Sequence, residues 1–107
     1  MFRGKDPLDY FITLTSKCWF NHILKEHPIM GQFLSRVKIT IGNPDYIYQS
    51  KIDSNCHIHF KRNSHTKYGS FFILVVIEKN KYKPKGYVKT SFPVFNLKKG
   101  GKLIWKR

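Results

Sequence analysis

At Gly42-Asn-Pro-Asp45 the apolar residues of this chain change period, from that of a helix to that of a strand. Ahead of the break, Trp19, Phe20, Ile23 and Leu24 form the stripe of an amphipathic helix running from Ser16 to about Glu26. Thr15 or Ser16 offers its N-cap. Pro28 suits the first turn of a new helix and cannot comfortably continue the old one, so His27-Pro28 marks a junction. The second helix is expected to carry Ile29, Met30, Phe33, Leu34 and Val37 inward, with Arg36 and Lys38 near its C-terminal end, where positive charge suits the dipole. Beyond the break, Tyr46 to Ser50, Cys56 to Arg62, Ser70 to Glu78 and Gly86 to Val94 read as four strands of an antiparallel meander. Tyr10 to Thr15 reads as a strand before the helices, and the tail from Asn96 to Trp105 has a Gly-Gly turn and an apolar patch able to close the sheet. The expected fold class is α+β: an N-terminal strand and two helices packed on a four- to five-stranded antiparallel sheet, forming a single domain over residues 1–107.

Charge narrows the partners. Twenty Lys and Arg face six Asp and Glu, a formal net charge of +14 with the histidines neutral. Residues 1–53 carry a net charge of +2 and residues 54–107 a net charge of +12, so the second half makes the field. Such a surface attracts a polyanion: nucleic acid, an anionic membrane or an acidic protein. A hydrophobic fraction of 41% and an aromatic fraction of 16% are too high for a disordered basic tail. The longest apolar run, Phe71 to Ile77, is strand length, so no integral membrane segment is expected. The N-terminus lacks the apolar stretch of a secretory signal. Cys18 and Cys56 form no Cys-x-x-Cys pair and read as packed thiols in a reducing compartment, giving a cytoplasmic expectation.

Few chemistries fit the remaining polar residues. Glu78 is the one acidic side chain after residue 53, so carboxylate-based two-metal catalysis lacks ligands, and any phosphodiester cleavage is expected to be metal-independent and without cofactor. No Gly-x-Ser-x-Gly elbow or Walker loop is present. In the strand from Cys56, alternation separates Ile58 and Phe60 from His57, His59 and Lys61. If the apolar pair packs on the helices, the polar trio faces outward, either as a solvated strand face or as a phosphate site that exchanges protons near neutral pH. The same alternation puts Lys89 and Ser91 together, with Thr90 among Val88 and Phe92. Thr90 then reads equally as a core hydroxyl or as a phosphate ligand. Lys79, Lys81, Lys83 and Lys85 in one short loop, with Tyr87 just after, have the composition of a surface that grips single-stranded RNA, though a solubilising loop has it too.

The order of motifs adds more than any one of them. Trp19 to Pro28 with His22 and His27, then Ile41 to Ile47 with Asn-Pro-Asp, then Phe72 to Ile77, then Val88 to Pro93 with Thr90 resembles the phage-associated branch of the barnase/EndoU/colicin/RelE nuclease superfamily over residues 10–105. That resemblance implies a small α+β domain, a metal-independent endoribonuclease acting through the 2′-hydroxyl, and a role as a toxin or effector in the producing cell or in a target cell. It places catalytic function on His22, His27 and Thr90, and on the stretch from His59 to Lys61. The chain departs from the pattern at Ile29, where the family often has an acid directly after His-Pro. His22 and His27 are also roughly 140° apart around a continuous helix, so they converge only if the chain breaks at Pro28.

Two functional expectations follow. The first is cleavage of RNA, with His22, His27, His59, Lys61 and Thr90 in the catalytic set and Lys79, Lys81, Lys83, Lys85, Tyr87, Lys89 and Ser91 binding the strand. The alternative is a non-catalytic RNA-binding module using the same basic face. An acidic antitoxin or immunity protein is a further expected partner, compatible with the first reading.

Overall fold

Thr15 starts the first helix by accepting the Cys18 amide on its Oγ1 at 3.0 Å, a side-chain N-cap. In the computed structural model, which describes residues 1–65 and 67–107, the helix runs through Ser16–Cys18, widens to a π turn over Trp19–Ile23 and closes with Leu24–Glu26. Trp19 and Ile23, one turn apart, are its buried residues. His27 leaves the helix, and Pro28 opens a 3-10 turn, Pro28–Gln32, with proline in its first turn as expected. The expected second helix is therefore split. Phe33 breaks the helical path so that its ring buries against Phe71, and the regular helix begins afterwards, at Leu34–Gly42.

The strands are β1 (Phe2–Lys5), β2 (Phe11–Leu14), β3 (Tyr46–Gln49), β4 (Cys56–His65), β5 (Gly69–Lys79), β6 (Lys85–Val94) and β7 (Lys102–Lys106). They form one sheet in the order β1-β2-β6-β5-β4-β3-β7. The α+β class holds, but the expected four- to five-stranded antiparallel sheet is a seven-stranded mixed one. β2 runs parallel to β6, a long-range pairing no local pattern announces. β1, with Phe2 as its one large apolar residue, carries too little local signal to be expected as a strand, and pairing to β2 makes it one. Gly86 is required in β6, since a Cβ there would lie 2.9 Å from Ile77 Cγ2 and 3.0 Å from the Glu78 carbonyl.

Both faces of the sheet carry apolar clusters. On one, Ile12, Leu14, Phe71, Ile73, Val75, Ile77 and Val88 pack under the helices with Trp19, Ile23, Met30, Phe33, Val37 and Ile41. On the other, Ile58, Phe60 and Leu74 are covered by Tyr46, Tyr48, Phe72, Val76, Phe92, Val94 and Leu97. No helix lies in that second cluster, and this face is called the open face below.

Candidate nucleic-acid interface

Register decides which polar side chains share a face. His57 lies across from Ile77, His59 from Val75 and Lys61 from Ile73, all of them helix-side positions of β5. The expectation that His57, His59 and Lys61 point outward is thus overturned, and Ile58 and Phe60 line the open-face cluster instead. The polar row is tolerated inside because two of its members are paired. His59 Nε2 meets Asp6 Oδ2 at 3.1 Å with both side chains fully buried, and Lys61 Nζ meets Asp45 at 3.2 Å. Burial pushes the Asp45 carboxyl up, but the Arg62 amide at 2.8 Å, Lys61 and Arg107 together hold it below its ordinary value. Burial, helped by Lys79 and His59, drives His57 down to about 4, so it is neutral at pH 7.

The other expected catalytic residues scatter. His22 is half-buried on the π turn and pairs with Glu26 at 3.6 Å. His27 is fixed by two backbone bonds, its amide to Ile23 O at 2.7 Å and its carbonyl to the Met30 amide at 2.9 Å. Those bonds present its ring to β6, where it stacks on Phe92 with centroids 4.8 Å apart. β2 covers β6 only from Lys85 to Tyr87, which leaves the edge beyond free for this contact. Of the five histidines, His27 alone stacks on an open-face ring; His65 packs on Phe33 and Tyr68 on the helix side.

A register shift in β6 corrects the reading of its polar residues. Val76 pairs with Thr90 and Ile77 with Val88, so Lys89 is extra and alternation breaks there. Ser91, across from Val75, faces the helices fully buried, and its Oγ donates to Leu74 O at 2.8 Å. It is committed to the fold and not free to bind RNA. Thr90 takes the open face with Phe92, and its buried Oγ1 has no hydrogen-bond partner.

Beside these residues, the open face holds a pocket of about 440 Å³. Ile58, Leu74, Val76 and Phe92 are among its apolar walls, and Lys51, Lys89, Lys98 and Lys99 bring four cations to it against the single carboxylate of Asp53. Lys89 Nζ lies 3.9 Å from Asp53. Lys51 Nζ donates to Lys98 O at 3.4 Å, and Lys99 Nζ sits 5.7 Å from the Phe92 ring. Sequence reasoning missed Lys51, Lys98, Lys99 and Phe92. Phe92 comes from β6 and the three lysines from two loops far apart in the chain, which the β3–β7 pairing brings together. Gly101 permits that approach, because a Cβ there would strike the Gln49 carbonyl.

The lysine loop joins β5 to β6. Asn80 Oδ1 accepts the Tyr82 and Lys83 amides at 2.8 and 3.1 Å, shaping a turn that leaves Lys81, Lys83 and Lys85 exposed and Lys79 half-buried. Tyr87 is 57% exposed. At the far end of β6, a smaller apolar cavity lined by Ile29, Phe33, Tyr68, Phe71, Pro93 and Phe95 presents no charged group to a phosphate. Among the described residues, no three His, Cys, Asp or Glu side chains are grouped to hold a metal, and no helix is long and apolar enough to cross a membrane. No family model, curated protein or solved structure matches the chain.

Proposed function

We propose that the chain is an endoribonuclease that binds single-stranded RNA on the open face and cleaves it beside His27. The observation that carries this reading is the four-lysine pocket lying against Phe92, the ring on which His27 stacks. A phosphodiester seated there meets cations able to stabilise the negative charge of a five-coordinate phosphorus, next to an imidazole whose ring nitrogens can accept and pass a proton. In the reaction, His27 takes the 2′-hydroxyl proton, O2′ bonds to phosphorus and the bond from phosphorus to O5′ breaks. O5′ leaves with a proton from water or a pocket lysine, giving a 2′,3′-cyclic phosphate and a 5′-hydroxyl. This reading leaves Thr90 out of the chemistry, since its Oγ1 is buried and has no exposed surface to offer a phosphate.

This reading moves catalysis away from His59, Lys61 and His22. The first two serve buried or half-buried pairs on the helix side, and the third pairs with Glu26 away from the pocket. The dispersal of the histidines favours the second reading, in which the same face binds RNA and cuts nothing. Incubating the protein with RNA in the presence of chelator separates the two. Fragments ending in 2′,3′-cyclic phosphate, lost on His27→Ala and kept on His22→Ala, support the nuclease. Bound and intact RNA supports the binding module. As a toxin or effector acting on cytoplasmic RNA, such a protein would be held in check by an acidic partner covering the lysines.

A further inference from the structure

The open face continues past the lysine pocket to the β1, β2 and β6 end of the sheet, where pairing sets two rows of side chains side by side. Arg3, Thr13 and Tyr87 form one row, and Lys5, Phe11 and Lys85 the other. Arg3, Phe11, Thr13, Lys85 and Tyr87 line a groove of about 310 Å³. Phe11 is 48% exposed although it opens a strand paired on both sides, to Lys5 and to Lys85. Lys5 lies 5.8 Å from that ring and also pairs with Asp9 at 3.3 Å. Two acids lie near the groove, Asp9 beside Lys5 and Glu78 on β5 opposite Tyr87, and Glu78 disfavours a phosphate path along β5.

We propose that Phe11 and Tyr87 form a second nucleotide platform, on which bases 5′ or 3′ to the scissile phosphate stack while Arg3 and Lys85 hold the intervening phosphates. This deepens the reading of the open face as an RNA surface and rests on it. The ligand is single-stranded RNA for two physical reasons. Exposed rings gain from stacking on unpaired bases, which a duplex withholds, and the cations beside them supply the charge that a strand's phosphates seek. From Phe92 to Lys85 the strand β6 spans about 20 Å, a track for on the order of four nucleotides. Acidic protein and anionic lipid would use the cations and leave the rings idle.

The test is a fluorescence-anisotropy titration of labelled RNA of two and of eight nucleotides against the wild-type chain and variants. Phe11→Ala and Tyr87→Ala should each weaken the octamer by about tenfold, leaving its salt slope and the dinucleotide affinity unchanged. Arg3→Ala and Lys85→Ala should each flatten the salt slope by about 0.7. Tyr87→Phe, which keeps the ring, should bind as wild type does, provided far-ultraviolet circular dichroism shows all variants folded. Octamer affinity indifferent to both rings would overturn the platform. If Lys51→Ala and Lys89→Ala still weaken binding, the reading of the lysine pocket survives that result. Duplex RNA or polyglutamate competing as well as the single strand would reduce the groove to a charge patch. Wild-type protein that binds neither RNA would overturn the platform and the proposed function together.

Discussion

Asp6 and His59 form a buried hydrogen bond that ties the β1–β2 connection onto β4, with Nε2 and Oδ2 at 3.1 Å and both side chains at zero exposure. The other Asp6 oxygen accepts the Leu8 and Tyr10 amides at 3.0 and 2.9 Å, so one carboxylate shapes the loop and fastens it. Tyr10 then stands edge-on to His57, with ring centroids 5.7 Å apart. Asp6→Ala strands a buried imidazole and frees two amides, and should cost about 3–5 kcal/mol in urea denaturation. A loss under about 1 kcal/mol would show that the pair is not the anchor described here.

Stability should fall in mild acid because of His57. Its folded value of about 4 lies below the ordinary 6.5, so the unfolded chain takes up a proton that the folded chain refuses. The stabilisation is complete above about pH 6.5 and is lost as the pH falls toward 4, on the order of 2 kcal/mol in all. His57→Gln should flatten that window. Asp45, held below its ordinary 3.8, acts in the same direction at lower pH: its contribution is present above 3.8 and lost beneath it. Denaturation midpoints measured from pH 7 to pH 4 check the sign.

Lysines divide by what they face. Lys51→Ala and Lys89→Ala, at the pocket, should each reduce the salt slope of RNA binding by about 0.7 and weaken affinity severalfold. Lys61→Ala removes a cation that already serves Asp45, so it should leave the slope unchanged and lower stability instead. Titrations at four salt concentrations distinguish these outcomes. A slope change on Lys61→Ala would mean that the helix side meets RNA.

Thr90→Val replaces a buried hydroxyl that has no partner with a methyl of the same shape. Folding stability should stay the same or rise by up to about 1 kcal/mol. RNA cleavage should stay within about twofold of wild type, because a hydroxyl without exposed surface meets no phosphate. A tenfold loss of turnover would return Thr90 to the site.

The elements were largely legible in the sequence, because helix and strand periods are local properties. Thr15 as the cap, Pro28 as the junction and the strands after Asp45 all stand where the pattern put them. What the pattern could not say was which face of β4 the helices would cover. Alternation separates Ile58 and Phe60 from His57, His59 and Lys61, but each set found a buried environment, one apolar and one paired to Asp6 and Asp45. Those acids lie 53 and 16 positions away, beyond any local signal. Lys89 shows the same limit on a smaller scale, since one extra residue parts Val88 from Thr90 and Phe92 and Lys89 from Ser91, which strict alternation had grouped.

The claim that RNA lies on the open face is tested most directly by mapping amide chemical-shift changes as an eight-nucleotide single strand is added. The account predicts shifts concentrated at Lys51, Tyr87, Lys89, Phe92 and Lys99, with His59 and Lys61 unmoved. Shifts centred on the helices and on His22, with Lys89 and Phe92 silent, would contradict it.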